Sequence, residues 1–290
     1  MIALALSAAG CGEGSSDDAG SDSAIVAAFY PLAFAAERVS GDTTRVRNLT
    51  PPGVEPHDLE LSARDVRTVV DADLVLYLGQ GFQPALEDAL DSSDAPAIDL
   101  LDDLDLLAGT EEEHEGESHG GEEEARDPHV WLDPMRYVAI AERIGAELDR
   151  RDAASDLSEE LRALDREFRN GLADCERREL VTSHAAFGYL AERYDLEQVA
   201  LSGLEPEAEP TPRELEEVVE EVREHGATTV FFETLVSPRL AETVAREVEA
   251  RTATLNPLEG LTPEEIERGA DYFSVMRANL AALREALECR

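Results

Sequence analysis

The sequence predicts an α/β protein made of two lobes that face each other across a cleft. Short apolar runs typical of buried strands alternate with helical segments over residues 25–101, and the same alternation restarts over 179–255. Two charged segments with helical apolar spacing, 134–151 and 157–173, separate the two series. Because strand–helix alternation at short spacing is typical of parallel sheets, each series predicts one sheet with flanking helices.

Four strands are predicted in the first lobe, at 25–30, 44–49, 73–79 and 97–101. Ser62 followed by Asp65 is a helix-capping pair, and it predicts a helix that runs through Val70. Three prolines and a glycine within 50–57 predict a rigid, non-helical loop between the second strand and this helix.

The second lobe is predicted to hold strands at 179–183, 198–201, 229–232 and 252–255. Helices are expected to begin at Thr211, Ser237 and Thr262, each followed by a proline that suits the first helical position, and a terminal helix spans 272–288. The helix at 157–173 is long enough to bridge two lobes. We therefore expect an N-terminal lobe at 24–152, a linking helix within 153–176 and a C-terminal lobe at 177–290.

Composition restricts the classes of partner. Of the 290 residues, 43% are hydrophobic, which is sufficient for a sizeable core. The formal net charge of -40 argues against nucleic acid and anionic membrane surfaces as partners, because phosphates would be repelled. It fits cationic ligands only weakly, because a solvated acidic surface, as in a high-salt or high-GC organism, explains most of it.

The three cysteines include no CxxC pair, which argues against a thiolate metal site. Cys11 follows a short apolar run, and residues 1–23 resemble the end of a bacterial lipoprotein signal, with an acylated cysteine and a flexible tether. The run lacks a basic segment, and the alternative is an unstructured terminus with a chance cysteine. Cys175 and Cys289 remain, and the sequence is compatible with either a disulfide or two free thiols.

Four residues stand out as candidate metal ligands: His57, His129, His184 and Glu259. Each lies just past a predicted strand or in a proline-stiffened loop, and ligand sites of open α/β sheets form beyond the carboxyl ends of strands. Three neutral imidazoles and one carboxylate are a natural four-coordinate set for zinc. Any one histidine alone is as readily explained as a hydrogen-bonded loop or core residue, so the hypothesis depends on the set.

Five motifs make the chain recognisable. They are 53–60 (Gly-Val-Glu-Pro-His-Asp-Leu-Glu), 127–134 (Asp-Pro-His-Val-Trp-Leu-Asp-Pro), 182–189 (Thr-Ser-His-Ala-Ala-Phe-Gly-Tyr), 256–261 (Asn-Pro-Leu-Glu-Gly-Leu) and 271–276 (Asp-Tyr-Phe-Ser-Val-Met). From about Ile25 to its C-terminus, the chain resembles the metal-receptor family of solute-binding proteins that serve ABC importers for zinc and manganese. The resemblance implies two four-stranded lobes, one long rigid linking helix, and a metal buried between the lobes.

The resemblance also implies the ligands and the metal. It assigns the three histidines as ligands and a nearby acid as the fourth, for which we place Glu259, although water or another acid fills that position in some members. In the manganese members, the resemblance implies a ligand set of two histidines and two carboxylates, with an acid at the position of His184. Three imidazoles therefore favour Zn²⁺ over Mn²⁺.

The function implied is that of an extracytoplasmic, non-enzymatic, monomeric receptor. It would be attached to the membrane only through a lipid anchor at Cys11 and would deliver zinc to the membrane permease of an ABC importer. The alternatives are a manganese receptor or surface adhesin of the same family and, more distantly, a zinc hydrolase. A hydrolase would need an open coordination position, and the sequence contains no HExxH motif.

The sequence also supports predictions for several residues outside these four candidates. The loop 109–126 is acidic and carries His114 and His119 within 111–124, so it either gathers metal weakly or is a disordered surface loop. His225, in the last turn of a helix, is expected not to be a ligand. Glu233 and Asp133 are candidates either to orient a ligand imidazole or to form a salt bridge or cap. Trp131 is expected in the core or the cleft wall.

Overall fold

The computed structural model describes residues 24–42, 44–109, 126–206 and 210–290. It contains two four-stranded sheets. The strands are β1 (Ala24–Ala27), β2 (Arg45–Asn48), β3 (Leu74–Tyr77), β4 (Ala97–Asp99), β5 (Glu179–Thr182), β6 (Glu197–Ala200), β7 (Thr229–Phe232) and β8 (Arg251–Thr254). All neighbours are parallel, in the orders β2-β1-β3-β4 and β6-β5-β7-β8. The predicted α/β class with two parallel sheets is confirmed.

Ten α-helices connect and cover these strands within the described residues. They are α1 (Tyr30–Ser40), α2 (Ala63–Val70), α3 (Pro84–Asp91), α4 (Pro134–Glu147), α5 (Arg151–Gly171), α6 (Gly188–Tyr194), α7 (Pro212–His225), α8 (Arg239–Glu247), α9 (Pro263–Glu267) and α10 (Tyr272–Ala286). The predicted cap of α2 is present, since the Ser62 hydroxyl accepts a hydrogen bond from the Asp65 amide. In the part of the chain that the structure describes, no helix has the length and apolar character to cross a bilayer.

The boundary between α4 and α5 differs from the prediction. The sequence pattern extended the first helix to residue 151 and began the second at 157, whereas α4 ends at Glu147 and α5 already begins at Arg151. Asp149 adopts a left-handed φ of 52°, which turns the chain sharply between the two helices. The helices then pack tightly, because a Cβ on Gly145 would lie only 2.4 Å from Cβ of Ala154.

Helix α5 connects the two sheets and belongs to the main core. Its 21 residues span about 31 Å. Its buried apolar positions Leu157, Leu161, Leu164 and Phe168 recur at helical spacing and pack against α1, α4 and α10. The main core extends from Ile25 to Leu287 and so includes residues of both lobes, while a second core lies between the C-terminal sheet and helices α7 and α8.

A disulfide joins Cys175 to Cys289, which are 114 residues apart in the sequence. It ties the segment that follows α5 to the chain end that follows α10. Of the two states that the sequence left open for these cysteines, the structure shows the bonded one.

Candidate metal centre

The four predicted ligands lie together between the two sheets. His57, His129, His184 and Glu259 each offer one donor atom, and these four atoms lie within 4.8 Å of one another. The side chains of His129, His184 and Glu259 are fully buried, and that of His57 is 8% exposed.

Four of the six separations between the donor atoms fall within a narrow range, and they match the edge of a small tetrahedron. The Oε1 atom of Glu259 lies 3.4, 3.2 and 3.3 Å from the Nε2 atoms of His57, His129 and His184. The Nε2 atoms of His129 and His184 are 3.4 Å apart. A regular tetrahedron with edges of about 3.3 Å has its centre about 2.0 Å from each vertex, which is the length of a Zn–N or Zn–O bond.

His57 is held by the loop that follows β2. The Nε2 atom of Gln83 donates a 3.2 Å hydrogen bond to the carbonyl oxygen of Pro56, and the His57 ring packs edge-on against Phe82 at a centroid distance of 4.6 Å. Across the cleft, the Gly53 amide donates a 3.0 Å hydrogen bond to the carbonyl oxygen of Leu261, two residues beyond Glu259. The loop of His57 is thereby joined to the loop of Glu259.

His129 is oriented by its neighbour Asp127. The Oδ1 atom of Asp127 accepts hydrogen bonds from the His129 backbone amide at 2.9 Å and from its Nδ1 at 2.7 Å. Because Nδ1 faces a carboxylate, it carries the proton, and the Nε2 lone pair points to the centre of the four donors.

His184 has an equivalent partner in Glu233, which follows β7. The distance from His184 Nδ1 to Glu233 Oε1 is 2.7 Å, and the Ser183 hydroxyl donates a hydrogen bond to the same oxygen. Glu233 is 3% exposed, so this pair is shielded from water. The prediction that Glu233 orients an imidazole agrees with this geometry.

Glu259 is presented by a tightly bonded loop after β8. The Asn256 side chain accepts a 2.7 Å hydrogen bond from the Leu258 amide, and Asn279 on α10 bonds both the amide and the carbonyl of Asn256. Leu258 has a left-handed φ of 58°, which turns the next side chain into the cleft.

The electrostatics favour a cation at the centre. Burial opposes charge on His129 and His184, but the carboxylates of Asp127, Glu233 and Glu259 outweigh it and raise the pKa of both imidazoles. Burial also opposes charge on Glu259, yet the imidazoles around it, His184 foremost, hold its pKa well below the usual range. For His57, burial dominates and lowers the pKa.

The donor atoms are incompletely satisfied by the protein. Among the buried side-chain atoms of the described residues, both carboxylate oxygens of Glu259 and the Nε2 of His57 have no hydrogen-bond partner of acceptable geometry. Buried polar atoms without partners are rare in native proteins and call for a specific explanation. A metal ion at the centre of the tetrahedron supplies one.

Two further acids near the site were not singled out in the sequence. Asp127, two residues before His129, is 3% exposed and makes the contact described above. Glu55 is 9% exposed, and burial together with the nearby Glu259 raises its pKa. The available signal was a carboxylate two residues before His57 and another two residues before His129. Acids are so common in this chain that this signal carried little weight.

The remaining candidates lie in other environments. Trp131 is fully buried, and Asp133 caps α4 and pairs with arginines. His225 lies with Glu179 and Glu197 in a second, part-exposed group of possible donors, of which the Nδ1 of His225 and a Glu179 oxygen are 3.9 Å apart. The predictions for Cys11 and for the loop 111–124 with His114 and His119 concern parts of the chain outside the described residues.

Comparison with known proteins identifies the family. Residues 25–286 match the family described as ZnuA, zinc-uptake complex component A, periplasmic. The chain belongs to this family. The resemblance seen in the motifs is confirmed, and the two-lobed fold is the one that solved members of the family share.

Curated members of the family are similar over most of the chain. The zinc-binding lipoprotein AdcA of Streptococcus pneumoniae is 39% identical over 278 residues, which are 91% of this chain but only 56% of AdcA. The high-affinity zinc uptake system protein ZnuA of Bacillus subtilis is 35% identical over 305 residues, covering 99% of this chain and 96% of that protein. This chain therefore spans little more than half of AdcA and nearly all of the Bacillus protein.

A solved relative carries the metal. The crystal structure of the Zn(II)-bound ZnuA-like domain of Streptococcus pneumoniae AdcA has a TM-score of 0.74 and 38% sequence identity. The alignment covers 91% of this chain and 98% of that domain.

Proposed function

We propose that this protein is an extracytoplasmic receptor that captures one zinc ion with His57, His129, His184 and Glu259. The observation that carries the proposal is the convergence of the four donor atoms within 4.8 Å of one another, with four of their six separations between 3.2 and 3.4 Å. Zinc is the cargo of this site, and three nitrogen donors with one oxygen match its preferred coordination.

The donor set supports zinc over manganese. Mn²⁺ is a harder ion that prefers oxygen ligands and higher coordination numbers, whereas His57, His129 and His184 supply three nitrogens in a closed, four-donor site. The Zn(II)-bound relative and the zinc-binding lipoproteins of the same family are consistent with this assignment.

The closed site supports transport rather than catalysis. A catalytic zinc keeps a coordination position open for water, whereas four protein donors surround the centre here. We infer that the protein hands its zinc to the membrane permease of an ABC importer, acts as a monomer and is attached outside the cytoplasm through a lipid on Cys11. The lobes we assign to 24–152 and 177–290, with the linking helix in 153–176, would enclose the ion.

Uptake of radioactive zinc by the source bacterium tests this function. Cells lacking the gene should lose uptake at low zinc, and a copy encoding the wild-type chain should restore it, but a copy encoding His129→Ala should not. Equal restoration by the two copies would contradict the assignment of the site. Unimpaired uptake in the deleted strain, with zinc binding retained in vitro, would instead favour a surface adhesin.

A further inference from the structure

Arg193 bridges three parts of the chain, two of which also carry metal donors. Its Nε atom lies 2.6 Å from Oδ1 of Asp165, on the linking helix α5, and 3.1 Å from Oδ1 of Asp133, the residue that caps α4. Arg193 itself belongs to α6 in the C-terminal lobe. One guanidinium therefore joins the N-terminal lobe, the linking helix and the C-terminal lobe.

The cluster is largely buried, and both carboxylates are shared with other groups. The side chains of Arg193, Asp133 and Asp165 are only 18, 2 and 10% exposed. Asp133 also accepts hydrogen bonds from the Met135 amide and from Arg136, which in turn pairs with Glu192. Asp165 also contacts Arg169 and the hydroxyl of Tyr194.

Loss of the central arginine would leave two buried carboxylates short of a partner. Burial raises the pKa of Asp133, and its arginine contacts offset this only in part. For Asp165, burial also opposes ionisation, but the hydrogen bonds from Arg193 and Arg169 keep its pKa below the usual range. Interactions in such sheltered positions are stronger than those of exposed ion pairs.

The cluster is connected to two metal donors by short stretches of chain. Helix α6 begins four residues after His184, and Asp133 lies four residues after His129. A second contact runs parallel to the first, because the Tyr189 hydroxyl on α6 donates a 2.6 Å hydrogen bond to the carbonyl oxygen of Asp127. Residues of α6 thus contact both ends of the segment 127–133, which carries His129.

From these contacts, we propose that Arg193 is a positioning residue of the metal site, which fixes His184 against His129 before metal arrives. The proposal rests on the proposed function, because its consequence is a prebuilt edge of the zinc tetrahedron, the 3.4 Å separation between the two Nε2 atoms. A receptor that already holds two imidazole nitrogens at the separation they have when both bind zinc loses less conformational entropy when zinc enters.

The matched variants are Arg193→Gln, Arg193→Lys and Arg169→Gln. Arg169 is the control, because its side chain is 53% exposed and it pairs with Asp165 one turn away on the same helix. In calorimetric zinc titrations at low temperature, Arg193→Gln should weaken binding about 10- to 100-fold, as substitutions behind metal ligands do. Arg193→Lys should recover part of this loss, and Arg169→Gln should stay within about twofold of wild type.

Two further readouts separate positioning from general destabilisation. With Co²⁺ in place of zinc, Arg193→Gln should alter the visible absorption bands of tetrahedral cobalt, and Arg169→Gln should not. In the metal-free protein, the nuclear Overhauser contact between the rings of His129 and His184, whose centroids are 5.2 Å apart, should weaken only in Arg193→Gln.

The outcomes can be told apart. If Arg193→Gln lowers the melting temperature but leaves the zinc affinity, the cobalt spectrum and the ring contact unchanged, the proposal is overturned. If wild type binds no stoichiometric zinc, the proposed function fails, and the ring contact in the metal-free protein still decides whether Arg193 positions the two imidazoles.

Discussion

The indole nitrogen of Trp131 donates a 2.7 Å hydrogen bond to the carbonyl oxygen of Pro257. Trp131 lies two residues after His129, and Pro257 lies two residues before Glu259, so this bond joins the segments of two metal donors. The hydroxyl of Tyr272 on α10 in turn donates a 2.7 Å hydrogen bond to the carbonyl oxygen of Trp131. The separation of His129 and Glu259 is therefore set by buried hydrogen bonds behind the site.

Removing this indole donor should weaken zinc binding. In Trp131→Phe, the Pro257 carbonyl loses its buried partner, and the Glu259 loop gains freedom, which should reduce zinc affinity about 10-fold. The control is Tyr137→Phe, which removes a buried 2.6 Å hydrogen bond from α4 to the Pro31 carbonyl on α1. Calorimetry should show an unchanged affinity in the control, and equal losses in both variants would contradict the account.

Neutralising the acid behind His184 should also weaken binding. Glu233→Gln keeps the shape of the side chain but removes the charge that supports the His184 imidazole, so zinc affinity should fall about 10-fold or more. Glu179→Gln is the matched control, because Glu179 faces His225 at 3.9 Å in a part-exposed pair. Competition with a chromophoric chelator measures both variants, and a Glu233→Gln affinity equal to wild type would count against the assigned role.

Protons and zinc should compete for the site in a defined direction. The folded-state pKa values of His129 and His184 lie above the ordinary value of about 6.5. Because protons then compete for these nitrogens earlier, zinc affinity should begin to fall while the pH is still above about 6.5. Below the folded pKa, each displaced proton costs about 10-fold in affinity per pH unit. A zinc affinity that stays constant from pH 8 to pH 6 would contradict the donor set.

Without metal, the same two groups act on stability in the opposite direction. A raised folded pKa stabilises the fold fully below the unfolded value of about 6.5, and this contribution is lost as the pH rises through the folded pKa. The melting temperature of the metal-free protein should therefore fall from pH 6 to pH 9, while the increase caused by added zinc should grow. Calorimetric scans with and without zinc would measure both trends.

The disulfide should matter for stability and not for the metal. Replacing both Cys175 and Cys289 with serine frees a chain segment of more than a hundred residues, and the free energy of unfolding should drop by about 2–5 kcal/mol. The stoichiometry of zinc should stay the same, because the cysteines follow α5 and α10 rather than the loops that carry the donors. Denaturant unfolding should give the same free energy for the variant and for reduced wild type. A variant that no longer binds one zinc ion per chain would contradict the prediction.

The sequence was informative where local features, such as prolines and apolar runs, determine the backbone. The convergence of His57, His129 and His184 could be predicted because prolines or strand ends fix their backbone. The strands could be predicted because buried parallel strands are continuous apolar runs. Glu259 could be selected among many acids because it lies in a proline-containing loop after the last predicted strand, and the family motif supported that choice. The start of α5 could not be predicted, because helical periodicity does not reveal the left-handed turn at Asp149.

The contacts behind the donors were the least predictable part of the site. Arg193 meets Asp133 and Asp165 from a separate helix, and such pairings depend on how distant segments pack rather than on local spacing. In a chain with 65 acidic residues, a single acid such as Asp127 carries almost no signal until the fold places it against an imidazole.

The central claim is that the four donors form one selective zinc site, and competitive calorimetry tests it most directly. Metal-free protein without residues 1–11 would be titrated with zinc and with manganese, alongside His129→Ala and the control His225→Ala. The account predicts one tight zinc equivalent that manganese does not displace, retained in His225→Ala and lost in His129→Ala. A preference for manganese, or the same tight zinc binding in His129→Ala, would contradict it.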